Sequence, residues 1–238
     1  MKNIVLIPTY NEKENIKNII EDIFRLFSDI YVMVIDDNSK DGTVFIVKNL
    51  MQNYTNLLIF ERNKKTGLGD AYKEGIKKVL GNYDIRYVIT MDADGSHQSI
   101  YIKNFLDNIN NFDLIIGSRY VKNGGVSDWS LRRRILSKLG NIYSKILIGS
   151  KINDLTAGFI CIKKELLEKI DFSKISSSGY AYQIEFKNYC EKKLNAKILE
   201  IPIIFKSRFG GESKMSNQII REGIKTPLRL FIKRVIRK

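Results

Sequence analysis

Two aspartates one residue apart, Asp92 and Asp94, close the apolar run "YVIT" at 87–90 in a chain that is otherwise strongly basic. Adjacent carboxylates repel each other, and a Mg2+ or Mn2+ ion relieves that repulsion while neutralising the oxygens of a bound phosphate. The residue between them, Ala93, points elsewhere, so one carboxylate can ligate a metal while the other reaches a sugar or a water. A pair of solvated turn residues is the commoner origin of such a motif. Its place after a strand, and the polar loops that accompany it, favour the chemical reading. A second acidic loop, "VIDDNSKDGT" at 34–43, holds Asp36, Asp37 and Asp41. Asp41 suits an Asx-type helix cap, and Asp37 is the carboxylate expected to meet a base or ribose. His97 is the only histidine, so neither a Ser/His/Asp triad nor a metallohydrolase cluster can be built.

The basic residues are the other half of the pattern. Arg119 follows an apolar run, Arg132, Arg133, Arg134 and Ser137 follow Trp129, and Arg208 and Lys214 flank "FGGES". Arginine grips phosphate with two parallel donors, and lysine acts as a point charge. A solvated charge run is the default reading of "RRR". Arg133 and Ser137, however, lie one helical turn apart on a shared face. With Arg119 they would form a phosphate pocket separate from the paired aspartates. The segment "KKTGLGDAYKEG" at 64–75 is neither a P-loop nor a dinucleotide fingerprint and reads as close backbone packing beside a nucleotide.

Apolar runs at 3–8, 30–37, 57–61, 85–92 and 113–119 alternate with helical patterns at 11–27 (capped by Asn11), 41–54 and 67–80. That alternation gives an α/β class with a mostly parallel sheet, whose ligands bind outside the carboxyl ends of the strands. The polar loops after strands one, two, four and five would then share one edge. The second half is less regular. It holds a helix over 131–148 with Leu131, Ile135, Leu139, Ile142 and Ile146 on one side, a short strand after Phe159, and a helix over 180–194. A strand over 196–208 contains Pro202, which places it at an edge or a bulge. The tail, 216–238, reads as helix broken near Pro227. Leu228, Phe231, Ile232, Val235 and Ile236 fall on one arc and Arg229, Lys233, Arg234, Arg237 and Lys238 on the other. Such a helix suits an anionic membrane surface or docking on the core with a solvated face. The parse is one domain, 1–215, with a helical tail, 216–238.

The 238 residues carry a formal net charge of +14, which calls for an anionic partner. Nucleic acid is disfavoured, because the basic residues are not interleaved with aromatics in any recognisable module. Cys161 and Cys190 have no metal-ligand spacing and no sign of an oxidising compartment. No signal peptide or membrane-length apolar run is present, so a cytoplasmic protein is expected, peripheral on the cytoplasmic face of a membrane.

The motifs "IPTYNEKEN", "DDNSKDGT", "GLGDAY", "MDADGSH", "GSRYVKNGGV", "WSLRRRILS", "DLTAGF", "GYAYQIE", "EIPIIF" and "SRFGGESKMS" run in order over nearly the whole chain. In this the chain resembles the dolichyl-phosphate mannose synthases and related polyprenyl-phosphate glycosyltransferases of inverting glycosyltransferase family 2. The resemblance implies a GT-A, Rossmann-like fold with C-terminal amphipathic helices. It implies that Pro8, Tyr10, Glu12, Ile35 and Asp37 hold a nucleoside, and that Asp92, Ala93 and Asp94 bind metal and diphosphate, with Ser96 beside them on the metal. Arg119, Arg133 and Ser137 would bind an acceptor phosphate, and Arg208 and Lys214 would close over the phosphates. The implied substrates are GDP-mannose and a polyprenyl or dolichyl phosphate, with a membrane-anchoring partner subunit in some arrangements. UDP-glucose or UDP-GlcNAc as donor, or a hydroxyl acceptor, are the alternatives. Two departures stand out: Ile160 occupies a position where an arginine often follows Gly-Phe, and Asp70 replaces a small residue in the glycine loop. A phosphate oxygen can attack a sugar C1 without a protein base, whereas a hydroxyl would need one, and Asp154 or Glu185 would be its candidates.

Overall fold

The computed structural model describes residues 1–207 and 217–236. Its first half is the expected alternation: β1 (Lys2–Thr9), α1 (Ile16–Leu26), β2 (Tyr31–Asp36), α2 (Thr43–Leu50), β3 (Leu57–Glu61), α3 (Leu68–Asn82) and β4 (Ile85–Thr90). Strands β1 to β4 pair in parallel in the order β3-β2-β1-β4. Alternate residues of β1 serve opposite faces: Ile4 and Leu6 pack with Tyr72 and Ile76 of α3, Val5 and Ile7 with Ile16, Ile20 and Ile23 of α1. Covering both faces with helices is what makes these strands read as unbroken apolar runs.

The next elements are α4 (Tyr101–Asn108), β5 (Leu114–Ser118), β6 (Gly125–Val126), α5 (Leu131–Ile148), β7 (Ile160–Lys163) and α6 (Lys164–Leu167). Then come α7 (Tyr182–Lys192), β8 (Ile198–Pro202), β9 (Ile204–Phe205) and α8 (Asn217–Ile236). Strand β7 inserts between β4 and β5 and runs antiparallel to both, so the sheet is mixed, in the order β3-β2-β1-β4-β7-β5-β8. The strand expected over 196–208 is two strands. β8 is the sheet edge beside β5, which accommodates Pro202, and β9 leaves to pair with β6.

Two local expectations are corrected. Asn11 does not cap α1. It sits at φ 54° in the loop, where its main-chain N–H bonds Ser39 Oγ and its amide oxygen accepts from Lys40 N, and the N-cap is Asn15. Pro227 does not break the tail, because α8 runs through it. A proline inside a helix costs about 3 kcal/mol, and here the residue is buried where α8 packs on the body. A third feature could not be read from the sequence: the apolar side of α5 is exposed at Leu131, Ile135, Leu139, Ile142 and Ile146, while its buried residues are Asn141, Ser144 and Ile148. No helix among the described residues is long and apolar enough to cross a membrane.

Candidate active site

The carboxyl ends of β1, β2 and β4 and the loops that follow them form the acidic half of the site. After β2, two of the loop's three acids bond within the loop and to its neighbours. Asp36 accepts from Thr9 Oγ1, Ser39 N and Ser39 Oγ, and Asp41 accepts from Lys13 N, Thr43 N and Thr43 Oγ1. Both therefore hold the loop. Asp37 is buried and paired with Arg62, which also makes a two-pronged contact with Glu74 at 2.9 and 2.7 Å and reaches Thr66 Oγ1. Burial outweighs the Arg62 charge and raises the Asp37 carboxyl above its ordinary value. Arg62, at the carboxyl end of β3, was not singled out from the sequence. Its signal was the position just after a third strand end.

Pro8 lies near the end of β1 in register with Ile35, and Tyr10 follows with Lys65 Nζ 3.7 Å from its ring centre. Glu12 is buried, its Oε2 accepting from Asn15 Nδ2 at 3.0 Å. Ile35 is different. Its side chain is wholly buried in the core and would meet a Cβ at Gly75, so it has only main-chain atoms to offer a nucleoside. The glycine loop also finds its close neighbour within the protein. Gly67 has φ 123°, and a Cβ there would lie 2.4 Å from Ser178 O, an approach that requires glycine.

After β4, Asp92 and Asp94 are partly exposed and their neighbours are not. Ser96 is buried, and its hydroxyl and main-chain N–H both donate to Asp94 Oδ1, at 2.5 and 3.0 Å, so it stands behind Asp94 and orients it. His97 is buried against Phe159, and its Nδ1 accepts from Asp92 N at 3.0 Å. Burial lowers the imidazole pKa and keeps it neutral, with its Nε2 proton 3.8 Å from Asp92 Oδ2. Burial, with the Asp94 charge adding to it, raises the Asp92 carboxyl. A Cβ on Gly158 would come within 3.4 Å of Asp92 Oδ1, so the 154–159 loop closes over this carboxylate. Two hard oxygen donors crowded at one strand end fit a divalent Mg2+ or Mn2+. No cluster of three or more acids, histidines or cysteines that could hold a metal ion forms among the described residues.

The basic half begins at the end of β5. Arg119 donates through Nε and Nη2 to both oxygens of wholly buried Asp154, at 2.8 and 2.7 Å, and through Nη2 to Thr156 Oγ1 at 2.7 Å. Burial alone would raise the Asp154 carboxyl, but the Arg119 charge and hydrogen bonds hold it below the ordinary range. Asn141 of α5 ties the same loop down, donating to Thr156 Oγ1 and accepting from Leu155 N. Arg133 lies 4.0 Å from the ring centre of Trp129, with Arg119 5.9 Å from the same ring. Ser137 accepts a 2.7 Å hydrogen bond from Tyr120 Oη, one residue from Arg119. The structure thus brings Arg119, Arg133 and Ser137 together around Trp129 and Tyr120. Phe205 joins the two halves, with its ring 5.4 Å from His97, 5.5 Å from Trp129 and 5.4 Å from the Arg119 guanidinium. Neither Tyr120, Asn141 nor Phe205 was legible as a site residue, since each depends on a contact across the fold. Arg208 and Lys214 lie outside the described residues.

Neither acid proposed as a base is available. Asp154 is locked to Arg119. Glu185, which burial would raise, is held low by hydrogen bonds from Ser177 and Ser176 and the charge of Arg229, whose Nη2 is 2.8 Å away.

Residues 4–171 match the glycosyl transferase family 2 model. The polyprenol monophosphomannose synthase of Mycolicibacterium smegmatis is 39% identical over 226 residues, spanning 94% of this chain and 84% of that protein. The undecaprenyl-phosphate mannosyltransferase of Micrococcus luteus is 35% identical over 225 residues, spanning 94% and 91%. Among solved structures, glucosyl-3-phosphoglycerate synthase from Mycobacterium tuberculosis, in complex with Mn2+, UDP and phosphoglyceric acid, is similar in fold with a TM-score of 0.70 at 15% identity, over 97% of this chain and 78% of that one. A mannosyltransferase from Pyrobaculum calidifontis in complex with GDP-Man and Mn2+ gives 0.63 at 16%, over 100% and 64%. The fold is that of the GT-A glycosyltransferases, and the chain belongs to glycosyltransferase family 2.

Proposed function

We propose that the protein transfers mannose from GDP-mannose to a polyprenyl phosphate with inversion, giving polyprenyl-phosphate mannose and GDP. The observation that carries this reading is the bidentate Arg119–Asp154 pair. It removes the best-placed carboxylate from service as a base and leaves a basic, aromatic-walled pocket. A phosphate acceptor is already an anion and needs no base, whereas a hydroxyl acceptor does. The names of the two relatives fit the same acceptor class.

In this reading Asp37, held by Arg62, accepts from the guanine or its ribose, and Pro8, Tyr10, Glu12 and the main chain of Ile35 border the nucleoside. Asp92 and Asp94 would hold Mg2+ or Mn2+ against the diphosphate, with the main chain of Ala93 beside it and Ser96 fixing Asp94. Bound there, the ion would supply positive charge to the departing diphosphate. Arg133 and Ser137 take the acceptor phosphate, and Arg119, paired with Asp154, fixes the 154–159 loop behind them. Holding two anions at reacting distance is the main catalytic task. Arg208 and Lys214 are proposed to close over the phosphates. The 216–238 tail is proposed to attach the enzyme peripherally to the cytoplasmic face of a membrane, alone or with an anchoring partner subunit.

The test is transfer to a short polyprenyl phosphate from GDP-mannose, UDP-glucose or UDP-GlcNAc, with and without EDTA. The reading expects transfer from GDP-mannose, abolished by EDTA and restored by Mg2+ or Mn2+. Preference for a UDP-sugar would overturn the donor assignment, and indifference to EDTA would overturn the role given to Asp92 and Asp94.

A further inference from the structure

Lys187 of α7 is the one lysine wholly buried among the described residues, on a helix whose Phe186 and Cys190 belong to the apolar core. An ammonium withdrawn from water is costly in a way that an apolar side chain of similar size is not, so core packing alone does not account for it. Its Nζ donates to Leu155 O at 3.1 Å, to Ala157 O at 2.5 Å and to Gln183 Oε1 at 3.4 Å. Three acceptors match the three N–H bonds of the charged form, and a neutral amine would leave one of them unserved. Gln183 turns its oxygen to the ammonium although its own Nε2 is then buried without a hydrogen-bond partner. The two carbonyls belong to the loop between α5 and β7, whose main chain is satisfied by side chains from other elements. Glu200 of β8 accepts from Asn153 N and Asp154 N, Asn141 of α5 accepts from Leu155 N, and Thr90 of β4 donates to Gly158 O. On its other side the loop carries Asp154 and Thr156, which bond Arg119, and Gly158, which lies against Asp92. Of the side chains that hold this main chain, Lys187 is the one that can carry positive charge.

We propose that Lys187 is a positioning residue for the transfer reaction: its ammonium draws the Leu155 and Ala157 carbonyls inward and so sets the loop that bears on both halves of the site. The proposal rests on the reading that this loop serves the acceptor. Because the ties are to main-chain oxygens, a change at Lys187 moves Thr156 and Gly158 together. Burial brings the Lys187 pKa down to about 7, while Asp154 and Glu200 oppose the fall and Arg119 adds to it. Cys190 faces it from one turn along α7, and burial pushes that thiol up to about 12. The loop should therefore lose one of its ties as pH rises through about 7. Stability moves in the opposite direction. The folded pKa of Lys187 lies below its unfolded value, so its contribution to stability is lost as pH falls through about 7 and grows as pH rises above it. A lysine that only filled the core would tie rate to stability, whereas a positioning lysine sets them against each other.

The test compares the full chain with Lys187→Met, reading kcat/KM for a short polyprenyl phosphate and Tm together between about pH 6 and 9. At the acid end wild type should exceed the variant by on the order of tenfold to 100-fold. That ratio should shrink severalfold toward the alkaline end, while the Tm difference shifts in favour of wild type. A ratio that stays constant with pH, or grows with the Tm difference, would overturn the proposal, as would equal rates throughout. If Lys187→Met fails to fold, Gln183→Leu keeps the lysine and removes one acceptor of its ammonium. The fall of wild-type rate with rising pH should then move to lower pH in that variant, and a fall that stays in place would overturn the proposal. Transfer confined to a hydroxyl acceptor would strike only at the proposed function, because the same ratio is then read on that acceptor.

Discussion

The two halves of the site, proposed above to take donor and acceptor, carry opposite charge and manage it in different ways. On the donor side Asp37 is matched by a buried arginine, but Asp92 faces a neutral histidine and a second carboxylate, and burial pushes its pKa up. On the acceptor side Asp154 is already neutralised by Arg119, and Trp129 carries Arg133 on its face. One half therefore has use for an added cation and the other for an added anion. The contrast teaches that charge within a single cleft can be divided so that each half recruits its own ligand.

The largest effect should come from the paired carboxylates of the acidic half. Asp92→Asn should lower kcat/KM on the order of 10³-fold with little change in Tm, because the side chain is partly exposed and holds no ion pair with a lysine or arginine among the described residues. A retained rate would break the comparison at its donor end.

Asp154→Asn should instead act through stability. Leaving the Arg119 guanidinium buried without its partner costs about 3–5 kcal/mol, read in urea unfolding. The folded-state pKa of Asp154 lies below its unfolded value. Its contribution is therefore complete above the ordinary carboxylate range and is lost as pH falls through the lowered folded value. The gap between wild type and variant should close in acid. A gap that does not change with pH would show that the pair does not carry the effect.

Arg133→Ala should cut kcat/KM for polyprenyl phosphate by about 100-fold while leaving GDP-mannose affinity near wild type by calorimetry. Equal losses for both ligands would erase the division between halves. Tyr120→Phe is the mildest. It removes one hydrogen bond to Ser137, worth about 1 kcal/mol, and should raise the acceptor KM severalfold without moving Tm by more than a few degrees.

Much of this was readable from the chain. The strand ends were placed within a residue or two because fully buried parallel strands leave continuous apolar runs, and α5 matched its expected bounds at Leu131–Ile148. The antiparallel insertion of β7 was not readable, since a four-residue strand carries no mark of direction or of its neighbours. The apolar stripe of α5 was visible as a pattern. Its orientation was not, because periodicity gives an arc and never says what covers it. Arg62, Tyr120 and Asn141 were missed for a related reason: their roles rest on partners 25, 17 and 15 residues away in sequence, Asp37, Ser137 and Thr156.

The central claim is that the acceptor is a phosphate and that no protein base is used. The most direct measurement compares mannosyl transfer from GDP-mannose to a short polyprenyl phosphate and to the same polyprenol bearing a free hydroxyl. The account expects product only from the phosphate, with loss of that product in Arg133→Ala. Comparable transfer to the free polyprenol, surviving Arg133→Ala, would contradict it.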